Sequence, residues 1–162
     1  ILCYYPSIGY EIQSRRERIG GGLKKILIVD EVVEIVEDDD SVRNALRDKL
    51  AHEGFAIIEA KDGQEGLDLA LHEHPDVILL DIRMPKMDGM TLMHKLRQDK
   101  WGKNASIIIL TNLDTNNERL AGIVADQPSY YLIKANTPLE KVLEKIQEVL
   151  ESKRGQIALE RT

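Results

Sequence analysis

Five short apolar runs, each closed by a polar residue, divide the chain at 24–29, 55–59, 77–80, 106–111 and 130–134. Ile26-Leu27-Ile28-Val29, Val77-Ile78-Leu79-Leu80 and Ile107-Ile108-Ile109-Leu110 do not alternate. They predict strands covered on both faces, because a strand with one wet face would alternate. Between the runs, apolar residues recur at helical spacing. Val42, Ala45, Leu46 and Leu50 mark one face of a helix over 41–50, which Gly54 ends. Asp62-Gly63 turns the chain into a second helix with Leu67, Ala70 and Leu71 inward, and Pro75 stops it. Leu92, Met93 and Leu96 place a third helix over 91–98. A helix within 114–125 is weakly written, since Asn116, Asn117 and Gly122 are poor formers. Thr137-Pro138-Leu139-Glu140 predicts a capped start for a last helix that buries Leu139, Val142, Leu143, Ile146, Val149 and Leu150. Strands alternating with helices in this way imply an α/β fold, a doubly wound five-stranded parallel sheet with helices on both faces.

One region supports two readings. Lys24 to Val29 runs into the acids Asp30 and Glu31, and Val32 to Val36 runs into Glu37-Asp38-Asp39-Asp40. In one register the central strand is 25–30 and the excess bulges before the first helix. In the other, 32–37 form the strand and 24–29 lead into it. That second register places Glu34 in a central strand, where an unpaired carboxylate is costly. Only the second acid group, however, stands beside the first helix. The strand register stays open.

Length and composition narrow the field. A chain of 162 residues suits one domain with a sizeable core, placed here at 23–152. Residues 1–22 hold three of the five tyrosines, end in Gly20-Gly21-Gly22 and show no periodicity, so an extension is expected there. Residues 153–162 read as a frayed tail. The net charge of −6 splits into +3 over residues 1–25 and −9 over the remainder. An acidic folded part argues against a nucleic-acid surface and suits a cation site. Cys3 is the only cysteine, so no disulfide framework is expected. No apolar run approaches the roughly 20 residues of a membrane helix, and no secretory signal order is present; the cytoplasm is the expected compartment. His52, His72, His74 and His94 do not form a metal set, Met84, Met87, Met90 and Met93 read as packing, and Trp101-Gly102 reads as a helix-end anchor.

Chemistry gathers at one edge. Parallel strands place their carboxyl ends together, and there stand Glu37 and Asp38, Asp81, Thr111 and Lys134. Three carboxylates repel one another unless a cation is shared, and a small all-oxygen set suits Mg²⁺. Asp81 can act as a nucleophile toward phosphorus, while the Lys134 ammonium and Thr111 hydroxyl can hold phosphoryl oxygens.

Asp81, Met84-Pro85 and Asp88-Gly89, with Thr111 and Lys134 on later strand tips, resemble the receiver domain of two-component response regulators, of the single-domain chemotaxis type. The resemblance spans about Leu23 to Ser152 and implies a flavodoxin-like strand order 2-1-3-4-5. It implies that Asp81 accepts phosphate from a histidine kinase or phosphotransfer protein. Glu37, Asp38, Asp81 and the backbone carbonyl of Arg83 would bind Mg²⁺, with Glu37 and Asp38 preferred over Asp30 and Glu31. Cutting out 30–36 would restore the family pattern, so the chain carries a seven-residue excess. Thr111 and Tyr131 would form the switch pair, acting on a surface made by the helix within 114–125, the fifth strand and the last helix. A downstream protein target is expected there, and a homodimer through the same surface is possible on this pattern. Two further departures stand out. Ala135 replaces the usual cis proline after the lysine, so a trans bond is expected, and Asn112 replaces a small residue after the threonine.

The function expected is a stand-alone phosphorylation-controlled switch, not an enzyme beyond Mg²⁺-dependent self-phosphorylation and self-dephosphorylation. One rival is a phosphate-independent pseudo-receiver scaffold. The other is an aspartyl-phosphate phosphatase, whose second Asp would fall at position 83, where this chain has Arg83.

Overall fold

The computed structural model describes residues 23–29, 39–112 and 126–160. The extension over 1–22, both acid groups at 30–31 and 37–38, and the helix expected within 114–125 lie outside the described residues. Five strands, β1 (Lys25–Val29), β2 (Ala56–Ala60), β3 (Val77–Leu80), β4 (Ile107–Thr111) and β5 (Tyr130–Ile133), form one parallel sheet in the order β2-β1-β3-β4-β5. The described helices are α1 (Asp39–His52), α2 (Gly63–Glu73), α3 (Gly89–Gln98) and α4 (Leu139–Glu160). Residues 25–29 therefore supply the strand between β2 and β3, with Ile26 to Val29 paired to Ile57 to Ala60 on one side and Val77 to Leu80 on the other. An all-apolar stretch fits a strand with neighbours on both edges and helices on both faces, and no carboxylate has to be buried in it.

Alternation along each strand divides the core in two. Leu27, Val29, Ile78, Leu80, Ile107 and Ile109 pack with Leu67, Ala70, Leu92, Met93 and Leu96 of α2 and α3. Ile26, Ile28, Val77, Leu79, Ile108 and Leu110 pack with Leu46 and Leu50 of α1 and Val142, Leu143, Ile146, Val149 and Leu150 of α4. Both sets of strand residues are buried, which is why the runs show no polar alternation.

Three expectations need correction: Ala45, expected on the inner face of α1 with Leu46 and Leu50, is exposed, since its position is turned about 100° from Leu46. Leu71 is 36% exposed rather than inward. The buried stripe of α2 is Gly63, Gly66, Leu67 and Ala70, and a residue one position past Ala70 is turned about a quarter of the way round the helix. The expected tail at 153–162 is helical through Glu160. Lys153 Nζ donates to the Asp76 carbonyl at 3.1 Å, and the good helix formers beyond it carry α4 past Gly155. Burial of the Lys153 stem lowers the affinity of its ammonium for the proton.

The remaining punctuation works as expected. Gly54 sits at φ +90° beyond α1, a conformation that favours glycine. Trp101 stacks on His74 with centroids 4.4 Å apart beside the end of α3. Met87 and Met93 are buried, and Met84 and Met90 pack against the same cluster.

Candidate functional site

Asp81 stands one residue beyond β3, next to β1, at the point where the strand order reverses. Its N–H donates to the Val29 carbonyl at 3.0 Å, so the tip of the central strand fixes its backbone. In open α/β sheets this crevice collects ligands. The loop after Asp81 is closed from the other side by Asp88 and Gly89. Asp88 caps α3 by accepting from Thr91 N–H at 2.7 Å, and Gly89 N–H donates to Ile82 O at 2.9 Å. A Cβ on Gly89 would lie 2.1 Å from the Asp81 carbonyl oxygen, so only glycine permits this approach. The Asp-Gly pair seven residues after Asp81 is thus a cap and a close contact, both of which set where Asp81 sits.

Among the described residues, three groups converge on the Asp81 carboxylate. Thr111 Oγ1, at the end of β4, donates to Oδ1 at 2.6 Å. Lys134 Nζ, just past β5, donates to Oδ2 at 3.0 Å. Arg83 N–H donates to Oδ1 at 3.2 Å. Thr111 is fully buried, while the side chains of Asp81 and Lys134 are 12% and 16% exposed. The pair is therefore shielded enough to strengthen its attraction yet reachable from solvent at one edge. Tyr131 is half-buried against the α2–α3 side of the sheet. It pairs with Ile109 in the ladder, two residues before Thr111, so the two members of the expected switch pair share a neighbourhood.

Asp81 and the Arg83 carbonyl offer hard oxygen donors of the kind Mg²⁺ takes. Among the described residues no group of three or more His, Cys, Asp or Glu could hold a metal ion by itself. The other two expected ligands, Glu37 and Asp38, lie outside the described residues.

Two contacts were not legible beforehand. Asn112 Oδ1 accepts from Ala135 N–H at 2.9 Å, joining the two positions that depart from the family pattern. No cis peptide occurs among the described residues, so the bond before Ala135 is trans as expected. Asp62, almost fully buried at the start of α2, accepts from Glu65 N–H at 2.9 Å and from Lys86 Nζ at 2.8 Å. The Glu65 N–H, and after it the Lys86 ammonium, hold its carboxyl below the usual aspartate range. Asp62 carried a turn signal in the sequence, but nothing local pointed to Lys86 in the next loop.

Comparison with known proteins agrees with this geometry. The family model described as the response regulator receiver domain matches residues 33–153. The chain belongs to the receiver domain family. The match begins after β1, so the family profile takes up the second acid group while the sheet uses the first candidate strand. The response regulator MprA of Mycolicibacterium vanbaalenii is 35% identical over 116 residues, which cover 72% of this chain and 48% of that protein. The chain thus spans about half the length of the curated relatives it matches. A CheY-like receiver domain protein from Methanospirillum hungatei superimposes with a TM-score of 0.71 at 27% identity, covering 83% of this chain and 99% of that one. The chemotaxis protein CheY4 of Vibrio cholerae gives 0.67 at 29% identity, covering 80% and 100%. Among the described residues no helix of this receiver domain is long and apolar enough to cross a membrane.

Proposed function

We propose that this receiver domain is a phosphorylation-controlled switch that accepts a phosphoryl group on Asp81 from the phosphohistidine of a histidine kinase or phosphotransfer protein. The observation that carries the reading is the convergence of Thr111 and Lys134, from two different strand tips, on opposite oxygens of one carboxylate. An Asp81 oxygen forms the bond to phosphorus as the phosphorus–nitrogen bond breaks, and the imidazole leaves with its electron pair and is protonated. Phosphoryl transfer needs a placed nucleophile and positive charge around the equatorial oxygens, and little covalent help. Lys134 supplies one charge and Thr111 a hydroxyl donor, both already within reach of the nucleophile. Glu37, Asp38, Asp81 and the Arg83 carbonyl would hold Mg²⁺, which adds positive charge at the phosphoryl oxygens when bound.

Once phosphorylated, Asp81 keeps only a neutral carbonyl oxygen, a weaker acceptor than the carboxylate, and the Thr111 hydroxyl would pass to an anionic phosphoryl oxygen. Tyr131 would follow by turning inward, remodelling the surface around β5 and α4 that a downstream protein or a second copy of the chain would read. Hydrolysis of the acyl phosphate resets the site, so the chemistry is self-phosphorylation and self-dephosphorylation rather than turnover of an outside substrate. The cytoplasm is the compartment in which such a partner kinase would meet it.

A calorimetric titration with beryllium fluoride in the presence and absence of Mg²⁺ tests the reading. Binding that requires Mg²⁺ and is lost in Asp81→Asn supports it. No Mg²⁺-dependent response would favour a phosphate-independent scaffold, and steady hydrolysis of small phosphate esters would favour a phosphatase.

A further inference from the structure

Adjacent residues at the tip of β4 grip two separate points. Thr111 reaches Asp81, and Asn112 reaches the backbone N–H of Ala135, the residue after Lys134. Lys134 closes the circuit by returning to Asp81. The need for such a grip follows from where the sheet stops. Thr111 pairs with Ile133 at the last rung of the β4–β5 ladder, so the ladder does not extend to Lys134. The chain there enters a short 3₁₀ turn, Lys134–Asn136, closed by a long bond of 3.4 Å from Thr137 N–H to the Lys134 carbonyl. A lysine stem is long and rotamer-rich, so the placement of its ammonium depends on how firmly its backbone is held. A proline at 135 would have no N–H to offer Asn112. The two departures from the family pattern are therefore two halves of one hydrogen bond.

We propose that Asn112 is a positioning residue for Lys134, acting through the Ala135 N–H, and that this tether does the work of the proline usual at that position. The proposal rests on the phosphoacceptor reading of Asp81 and adds the device that aims its lysine.

The test uses the full chain with Asn112→Ala, Ala135→Pro and the double variant. Hydrogen exchange of the Ala135 amide is followed by NMR without metal, and Mg²⁺ alone and beryllium fluoride at saturating Mg²⁺ are titrated by calorimetry. One neutral hydrogen bond at an exposed position predicts that Asn112→Ala speeds exchange at Ala135 about three- to tenfold and weakens beryllium fluoride binding by a similar factor. Affinity for Mg²⁺ alone stays within about twofold, since the tether acts on the lysine and not on the acids; a merely structural lesion would weaken both. Ala135→Pro exchanges the tether for the proline whose work it does, so the analogue binds within about twofold of wild type, and adding Asn112→Ala to it costs nothing more, because the bond is already gone. The proposal is overturned if Asn112→Ala leaves exchange and affinity unchanged, or if it costs as much in the proline background as alone. A wild-type chain indifferent to beryllium fluoride overturns the phosphoacceptor reading itself, which separates the two failures.

Discussion

Thr111 Oγ1 lies 2.6 Å from Asp81 Oδ1, a fully buried hydroxyl donating to a carboxylate at the edge of the sheet. On the proposed function, the donor that would serve a phosphoryl oxygen is thus already aimed at the carboxylate that would accept it. Thr111→Val keeps the shape and removes the donor, while Arg83 N–H still serves the same oxygen. A hydrogen bond to a charged group contributes about 1.5–3 kcal/mol, so beryllium fluoride affinity should fall roughly ten- to hundredfold. Thermal stability should fall less than that figure implies, because Arg83 N–H and Lys134 still serve the carboxylate. Titration and a melting curve on the same sample check both, and unchanged affinity would remove Thr111 from the site.

How far the residues themselves disclosed this site depends on what carried each signal. Strands buried on both faces announce themselves as apolar runs, so β3, β4 and their closing residues Asp81 and Thr111 could be read directly. Lys134 followed once β5 was recognised beside Tyr130 and Tyr131. The register at 24–37 could not be decided, because two segments carry the same local pattern and only pairing with Ile57 to Ala60 and Val77 to Leu80 distinguishes them. The Asn112–Ala135 and Asp62–Lys86 contacts join loops 23 and 24 residues apart in sequence, and no periodicity reports such a meeting. Leu71 was misplaced because one apolar residue more than the stripe needs cannot be told from a member of it.

Gly89 should tolerate no side chain. Its added Cβ would meet backbone atoms, the Asp81 carbonyl oxygen at 2.1 Å and Ile82 Cα at 2.9 Å, neither of which can swing aside. Gly89→Ala should destabilise by about 1–3 kcal/mol, as overpacking does, and should weaken the phosphate analogue as well. Gly54→Ala is the matching control: φ +90° costs about 1 kcal/mol, but open space surrounds it and ligand binding should be untouched. Denaturant titrations paired with calorimetry separate the two outcomes.

Arg97 ties the end of α3 to the segment entering β5. Its guanidinium donates to the carbonyls of Asp126 at 2.8 Å, Gly102 at 2.8 Å, Ala105 at 2.9 Å and Gln127 at 3.1 Å. Removing a planar, many-pronged donor leaves several acceptors unserved, so Arg97→Ala should cost about 2–4 kcal/mol. Arg97→Lys should recover little, because a compact ammonium cannot reach both loops at once. Urea unfolding of both variants checks this, and full recovery by lysine would show that charge alone matters.

The Asp62–Lys86 pair predicts an acid-sensitive link between the loops that follow β2 and β3. The folded state holds the Asp62 carboxyl below its ordinary value of 3.8, first through Glu65 N–H and then through Lys86. A depressed carboxyl pKa stabilises fully above the unfolded value and less as pH falls toward the folded one. Asp62→Asn keeps a side-chain oxygen for the cap but loses the charge that Lys86 answers. Wild type should therefore exceed Asp62→Asn in denaturation midpoint at pH 7, by the same margin at pH 5, and by a shrinking margin below about pH 3.8. Midpoints at pH 7, 5, 4 and 3 supply the measurement. A margin that holds constant into acid would mean that the carboxylate charge contributes nothing and that the cap alone fixes this corner of the fold.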